Sequence, residues 1–101
     1  MDRFTSQIVL LSDAVPAAPA ALTFTVAGRA VTLQWQPSPG VLDYIVQAGS
    51  APGQSDFYNQ SVGAQPVING VVPPGRYYVR VRARNGSGVS VPSEEIVIDV
   101  R

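Results

Sequence analysis

The sequence predicts an all-β fold, a sandwich of two antiparallel sheets made of about seven short strands. Three observations support this fold class. Short segments alternate between apolar and polar residues, turn signals rich in Gly, Pro and Asn recur about every 8–12 residues, and no stretch shows helical periodicity. With 101 residues, the chain fits one domain that can bury a core without disulfides or metals.

Residues 1–13 are predicted to be a lead-in or linker before a domain that spans residues 14–101. The lead-in contains an apolar run without alternation: Ile8, Val9, Leu10 and Leu11. This run fits an extra edge strand, a helical turn or the tail of a preceding domain. We favour a strand or extended segment that packs on the body, and an exposed run could also pair with another copy of the chain.

A Pro/Ala-rich stretch, residues 14–21, comes before the first predicted strand. Its prolines, Pro16 and Pro19, exclude a central strand and disfavour a helix. We therefore expect an extended domain boundary there, followed by an edge strand over residues 22–26.

The second predicted strand covers residues 30–35, where Val31, Leu33 and Trp35 share one face. Trp35 is in phase with two aliphatic residues and would supply a large buried area, so we place it in the core. The alternative is an exposed platform on which a sugar could stack.

The third predicted strand, residues 42–48, also alternates. One face carries Tyr44, Val46 and Ala48, and the other carries Asp43, Ile45 and Gln47. Residues 49–59 are predicted to be a long polar connection in which Phe57 and Tyr58 either cover the edge of the core or lie half-exposed in a binding loop. A short edge strand is expected at residues 66–69, since Pro66 cannot donate to a ladder.

The clearest strand follows a Pro-Pro-Gly turn and covers residues 77–84. Its predicted inner face is Tyr77, Val79, Val81 and Ala83. Its predicted outer, water-facing side is Tyr78, Arg80, Arg82 and Arg84. An Asn-Gly turn at residues 85–88 then leads to a last strand over residues 94–100.

Composition limits the chemistry of the chain. It contains no Cys and no His, all seven basic residues are Arg, and the net charge is zero. These counts argue against thiol chemistry, the commonest metal ligands and bulk attraction to nucleic acid. No apolar run approaches the roughly 18 residues of a membrane span, so membrane insertion is not expected. The scattered carboxylates form no catalytic pattern, and we predict a non-enzymatic domain without cofactor or metal.

Residues 16–100 resemble a fibronectin type III domain of the kind found in exported bacterial multidomain proteins. The resemblance is carried by an ordered set of short motifs, each weak alone: Val31-Thr32-Leu33-Gln34-Trp35, Asp43-Tyr44-Ile45-Val46, Pro74-Gly75 with the strand after it, and Ser90-Val91-Pro92-Ser93. It implies an immunoglobulin-like, seven-stranded antiparallel β-sandwich, with strands A, B and E facing C, C′, F and G. Tyr77 would be the tyrosine corner, with its hydroxyl bonded to backbone near residues 68–72, although the turn before it is one residue shorter than usual.

The resemblance also implies a function. We expect a non-catalytic structural, spacer or presentation module of a larger exported protein, located extracellularly, in the periplasm or at the cell surface. Its partners would be neighbouring domains of the parent protein. A monomer is the default expectation, with self-association through Ile8-Leu11 as the alternative.

The outer row Arg80, Arg82 and Arg84 has two interpretations. It could form a cross-strand charge ladder with Glu95 and Asp99. It could instead form, with Tyr78 and Ile45, an interaction face for a protein or carbohydrate, to which the loops at residues 37–42 and 85–91 are the other candidate surface. The predicted structural core is Trp35, Tyr44, Tyr77, Val79 and Val81.

Overall fold

Eight β-strands in two antiparallel sheets form residues 14–101, the part of the chain that this computed structural model describes. In chain order the strands are β1 (Ala20–Ala27), β2 (Ala30–Gln36), β3 (Asp43–Gly49), β4 (Tyr58–Gly63), β5 (Val67–Val71), β6 (Gly75–Asn85), β7 (Gly88–Val89) and β8 (Ile96–Val100). The predicted lead-in, with its apolar run at residues 8–11, lies outside the described residues.

The strand order confirms the predicted fold class. One sheet has the order β1-β2-β5, and the other has the order β4-β3-β6, with β7 and β8 both pairing with β6. This is the grouping of A, B and E against C, C′, F and G that the resemblance implies. The extra strand in the count is β7, which is two residues long and continues the turn after β6.

The core lies between the inner faces of the two sheets. Its ten buried apolar side chains are Leu33, Trp35, Tyr44, Val46, Ala48, Val79, Val81, Ala83, Ile98 and Val100. They come from alternate positions of four strands, because successive side chains of a strand point to opposite faces. The rings of Trp35 and Tyr44 meet edge to face, with centroids 5.3 Å apart.

Strand β4 lies partly where the sequence predicted a loop. Phe57 still belongs to the connection, but Tyr58 begins a strand that pairs with β3. Its sequence is mostly polar, so it lacks the apolar alternation that would reveal a strand. Backbone pairing with β3 holds it in place, and Tyr58 and Val62 are its half-buried residues. Gly63, with a φ of 89°, ends the strand.

The first strand is irregular at its start. The pairing of β1 with β2 shifts register between Ala20 and Thr23, and Ala21 has a φ of 55°. A β-bulge of this kind adds twist at an edge and discourages pairing with another sheet. The prolines before it, Pro16 and Pro19, are both buried, so the chain reaches β1 in contact with the body of the domain.

Candidate functional site

The predicted interaction residues share one surface, the outer face of β6 and β3. We call Tyr78, Arg80, Arg82 and Arg84, together with Ile45 of β3, the arginine face. Ile45 lies directly opposite Arg82 in the β3–β6 pairing. The five side chains are not equally accessible: Arg84 is 46% exposed, Tyr78, Arg82 and Ile45 are half-buried, and Arg80 is only 8% exposed.

The expectation that Arg80 points into water is wrong. Its guanidinium donates to the carbonyl oxygens of Gly53 at 3.1 Å and Gln54 at 2.8 Å, and to Glu95 Oε2 at 3.0 Å. Glu95 Oε2 also accepts the Gly53 amide at 2.9 Å. The loop after β3 therefore folds over this part of the sheet, and Arg80 fixes it there.

The same loop requires a glycine at its start. A Cβ on Gly49 would lie 2.1 Å from the Gln54 carbonyl oxygen, so a larger residue would push the loop away. Further along, Asp56 accepts from the amide of Ser50 at 2.9 Å and from its hydroxyl at 2.7 Å. These bonds lower the pKa of Asp56 and close the loop on itself.

Arg84 forms a two-point ion pair with Asp43 of β3. Its Nε donates to Asp43 Oδ1 at 2.8 Å, and its Nη2 donates to Oδ2. The Ser61 hydroxyl also donates to Oδ2, at 2.6 Å. The Arg84 hydrogen bond and, to a smaller extent, the Ser61 hydrogen bond hold the pKa of Asp43 below its ordinary value, so the carboxylate stays charged and paired with Arg84.

Arg82 and Asp99 of this sheet also have hydrogen-bond partners inside the domain. Arg82 donates to Gln47 Oε1 and to the Ser90 carbonyl, both at 3.3 Å. Arg76 lies directly opposite Asp99 in the β6–β8 pairing, and its Nε donates to Asp99 Oδ1 at 2.8 Å. The predicted charge ladder is therefore present in part. Glu95 forms an ion pair with Arg80 of the arginine row, whereas Asp99 pairs with Arg76, near the start of β6.

Tyr77 makes the hydroxyl-to-backbone bond of a tyrosine corner, at a shifted position. Its hydroxyl donates to the Pro73 carbonyl at 2.5 Å, one residue beyond the expected segment at residues 68–72. The short turn before β6 accounts for the shift. Its ring is half-buried and lies against Phe57, with centroids 5.4 Å apart.

The other residues predicted for the core lie inside the sandwich. Trp35 is 5% exposed, which leaves no surface for sugar stacking, and Val79 and Val81 lie beneath the arginine face. Tyr44 is fully buried, and its hydroxyl accepts the Ser38 amide at 2.8 Å. This bond fixes the loop between β2 and β3 from below.

The two candidate recognition loops are joined to the chain that enters the domain, residues 14–19, which we call the entry segment. Asn85 Nδ2 donates to the Ala14 carbonyl at 2.9 Å, and the Ser38 hydroxyl donates to the Ala17 carbonyl at 3.1 Å. Val15 also lies against the turn at Gly88. The entry segment therefore occupies part of the loop surface proposed for recognition.

A surface that the sequence did not reveal lies between the sheets, on the side bounded by β4 and β5. It is an apolar groove of about 640 Å³. Its floor is formed by inner-face residues of both sheets, including Leu33, Val46 and Ile98, and its rim includes Phe57, which is 54% exposed. Gly70, two residues after the half-buried Ile68, also lines the groove and is exposed there.

The described residues contain no candidate metal-binding group and no candidate membrane-spanning helix. Between residues 14 and 101, no three His, Cys, Asp or Glu side chains come together in a way that could hold a metal ion. The same residues include no helix of the length and hydrophobicity needed to cross a membrane.

Comparison with known proteins assigns the family. The family model described as fibronectin type III domain matches residues 17–99. The chain therefore belongs to the fibronectin type III family, as the motifs predicted. A search of curated proteins finds no match.

Solved structures share this fold at low sequence identity. A Fn3-like protein from Clostridium thermocellum is 21% identical with a TM-score of 0.69, covering 87% of this chain and 96% of that chain. The FN1–FN3 domains of chicken CNTN1 are 21% identical with a TM-score of 0.69, over 86% of this chain and 33% of that one. The twitchin kinase region from C. elegans is 22% identical with a TM-score of 0.68, over 84% of this chain and 16% of that one. In the last two, this chain corresponds to one part of a much longer protein.

Proposed function

We propose that this fibronectin type III domain is a non-catalytic spacer or presentation module of a larger, exported bacterial protein. It would work outside the cytoplasm, in the medium, the periplasm or at the cell surface, with neighbouring domains of the parent protein as its partners. The family supports this proposal, since similar domains are parts of longer chains in CNTN1 and twitchin. No cofactor is needed for such a role.

The observation that carries the proposal is the attachment of the entry segment. Pro16 and Pro19 are buried, and the carbonyls of Ala14 and Ala17 each accept a side-chain hydrogen bond from a loop of the domain. A segment held at several points transmits direction, whereas a free linker does not. A spacer requires a fixed entry segment, because this segment sets the orientation of the preceding domain relative to the spacer.

The arginine face supports the same function. Arg80, Arg82 and Arg84 each bind partners within the chain. An acidic ligand would have to displace Glu95 to reach Arg80 and Asp43 to reach Arg84, whereas Arg82 is bound to the neutral Gln47 side chain and the Ser90 carbonyl. Recognition of a protein or carbohydrate through this face is the alternative proposal. The partial exposure of Arg84 is the feature that favours it.

Spin labels can test whether the entry segment is fixed. The chain has no Cys, so Ala14→Cys and Thr25→Cys give two exposed labelling sites on the entry segment and on β1. Pulsed electron resonance should give one narrow distance distribution. The same labels on an Asn85→Ala, Ser38→Ala background should give a broader one. A broad distribution in the parent chain would contradict the spacer proposal.

The oligomeric state is a separate expectation. We propose a monomer, with self-association through residues 8–11 as the alternative. Light-scattering mass of the full chain against a chain that begins at Val15 distinguishes the two, since a dimer that depends on residues 8–11 would be lost on truncation.

A further inference from the structure

The chain contains two Asn-Gly pairs, and the structure places them in different surroundings. Asn69 and Gly70 lie inside β5, whereas Asn85 ends β6 and Gly86 is the first residue of the turn that follows. In an Asn-Gly pair the backbone nitrogen of the glycine can attack the side-chain amide carbon of the asparagine, because glycine has no Cβ to obstruct the approach. Asn85 is half-buried and the other three residues are exposed, so water reaches both pairs.

The backbone nitrogen of Gly70 is engaged in the sheet. The β2–β5 pairing places Gly70 opposite Val31. Two residues further along β5, the Val72 amide donates to the Arg29 carbonyl at 3.0 Å. Hydrogen-bonded pairs recur at every second residue of an antiparallel ladder, so Gly70 and Val31 form such a pair as well. The Gly70 nitrogen can therefore attack only after β5 opens locally.

The backbone nitrogen of Gly86 is not engaged in a ladder. The β6–β7 pairing joins Asn85 to Gly88, which leaves Gly86 at the tip of the turn. Within residues 14–101, the Gly86 amide has no hydrogen-bond acceptor. A Cβ on Gly86 would meet nothing within 4 Å, so its surroundings are open. Attack by this nitrogen requires no strand to open.

The Asn85 side chain is folded along the same turn. Its Oδ1 atom accepts the Ser87 amide at 2.8 Å and the Gly88 amide at 3.2 Å. This Asx turn curves the side-chain amide over the peptide of the next residue, Gly86. The two donors also stabilise the negative charge that develops on Oδ1 as the amide carbon is attacked. Both effects favour ring closure at Asn85.

We propose that Asn85 is a self-modification site that loses its side-chain amide, with water as the only other reactant, and that this loss releases the entry segment. The Gly86 nitrogen gives its proton to hydroxide and bonds to Asn85 Cγ. The Cγ–Nδ2 bond then breaks, and the amide nitrogen leaves as ammonia with a proton taken from water. Water opens the resulting cyclic imide at either carbonyl, which leaves aspartate or isoaspartate at position 85.

The modified residue cannot hold the entry segment. In the intact chain, Asn85 Nδ2 donates to the Ala14 carbonyl at 2.9 Å. A carboxylate has no donor, and it would set a negative charge against that carbonyl oxygen. It still accepts the two turn amides, more strongly than before. The turn is therefore kept while Ala14 is released, and the bond from the Ser38 hydroxyl to the Ala17 carbonyl remains.

The first test incubates the full chain at mildly alkaline pH and follows its peptides by mass spectrometry. The Asn85 peptide should convert at least about tenfold faster than the Asn69 peptide, because only the latter requires a ladder hydrogen bond to break. Both aspartate and isoaspartate should form. In concentrated urea, where no strand protects Gly70, the two rates should become similar. Equal rates in the folded chain, faster conversion at Asn69, or aspartate without isoaspartate would overturn the proposal.

Two glycine variants give a matched comparison. Gly86→Ala should slow the conversion at Asn85, because a Cβ obstructs the attack. The turn should accept this alanine, since the φ of Gly86 is not in the left-handed region and the added Cβ meets open space. Gly70→Ala should leave the rate at Asn85 unchanged. A rate in Gly86→Ala equal to that of the parent would contradict attack by this nitrogen.

The release step rests on the fixed entry segment of the proposed function, whereas the order of the rates does not. Spin labels at Ala14→Cys and Thr25→Cys measure it. Asn85→Asp should broaden the distance distribution, and Asn69→Asp, which makes the same charge change in β5, should not. Equal widths in Asn85→Asp and the parent would overturn release. A broad distribution in the parent would overturn release together with the spacer function, and the conversion rates decide the modification site in either case.

Discussion

Arg80→Met removes a guanidinium that is only 8% exposed and keeps an unbranched apolar stem in its place. The change leaves Glu95 without its ion pair and two loop carbonyls without a donor. Breaking a fully buried ion pair costs about 3–5 kcal/mol. Glu95 is 27% exposed and the loop carbonyls can regain water, so we expect a loss of about 2–4 kcal/mol in the free energy of unfolding.

Urea denaturation measures this loss as a lower midpoint at an unchanged slope. For a domain of this size the melting temperature should fall by about 10 °C or more. Arg84→Met is the matched control, and it should cost less because Arg84 is 46% exposed. A loss under about 1 kcal/mol for Arg80→Met, or equal losses for the two variants, would refute the assignment of Arg80 as the residue that holds the loop.

Three other substitutions test separate contacts. Tyr44→Phe leaves the buried Ser38 amide without its acceptor and should lower the free energy of unfolding by about 1–3 kcal/mol in urea, whereas an unchanged value would show that the hydrogen bond is not needed. Gly49→Ala drives a Cβ into the loop carbonyl and should cost about 1–3 kcal/mol in thermal melts, and a neutral result would contradict the close approach. The Arg84 hydrogen bond lowers the folded-state pKa of Asp43, so the charged Asp43 carboxylate stabilises the folded state at pH values above its ordinary pKa of 3.8. This stabilisation is lost as the pH falls through the lower pKa of the folded state. Asp43→Asn should therefore flatten the acid side of the stability curve, and an unchanged curve would exclude this coupling.

The parts of the fold that follow from alternation were predictable from sequence. Alternate residues of β6 and β3 lie in the core, as predicted: Val79, Val81 and Ala83 of β6, and Tyr44, Val46 and Ala48 of β3. The sheet face on which a side chain lies is a local property, because successive side chains of a strand point to opposite faces. The ordered motifs then selected one arrangement of the strands among many sandwiches.

The features that alternation along a strand does not predict depend on distant parts of the chain. The burial of Arg80 depends on a loop 26 residues away that folds over it. Strand β4 is held by pairing with β3, although its residues are mostly polar. The groove is lined by residues of both sheets, so it forms only when the two sheets pack.

The measurement that tests the proposed spacer function most directly is single-molecule energy transfer between two fluorescent proteins joined by this domain. A spacer with a fixed entry segment should give one narrow efficiency population, and the Asn85→Ala, Ser38→Ala variant should broaden it. A distribution as broad as that of a Gly/Ser linker of equal reach would contradict the spacer function.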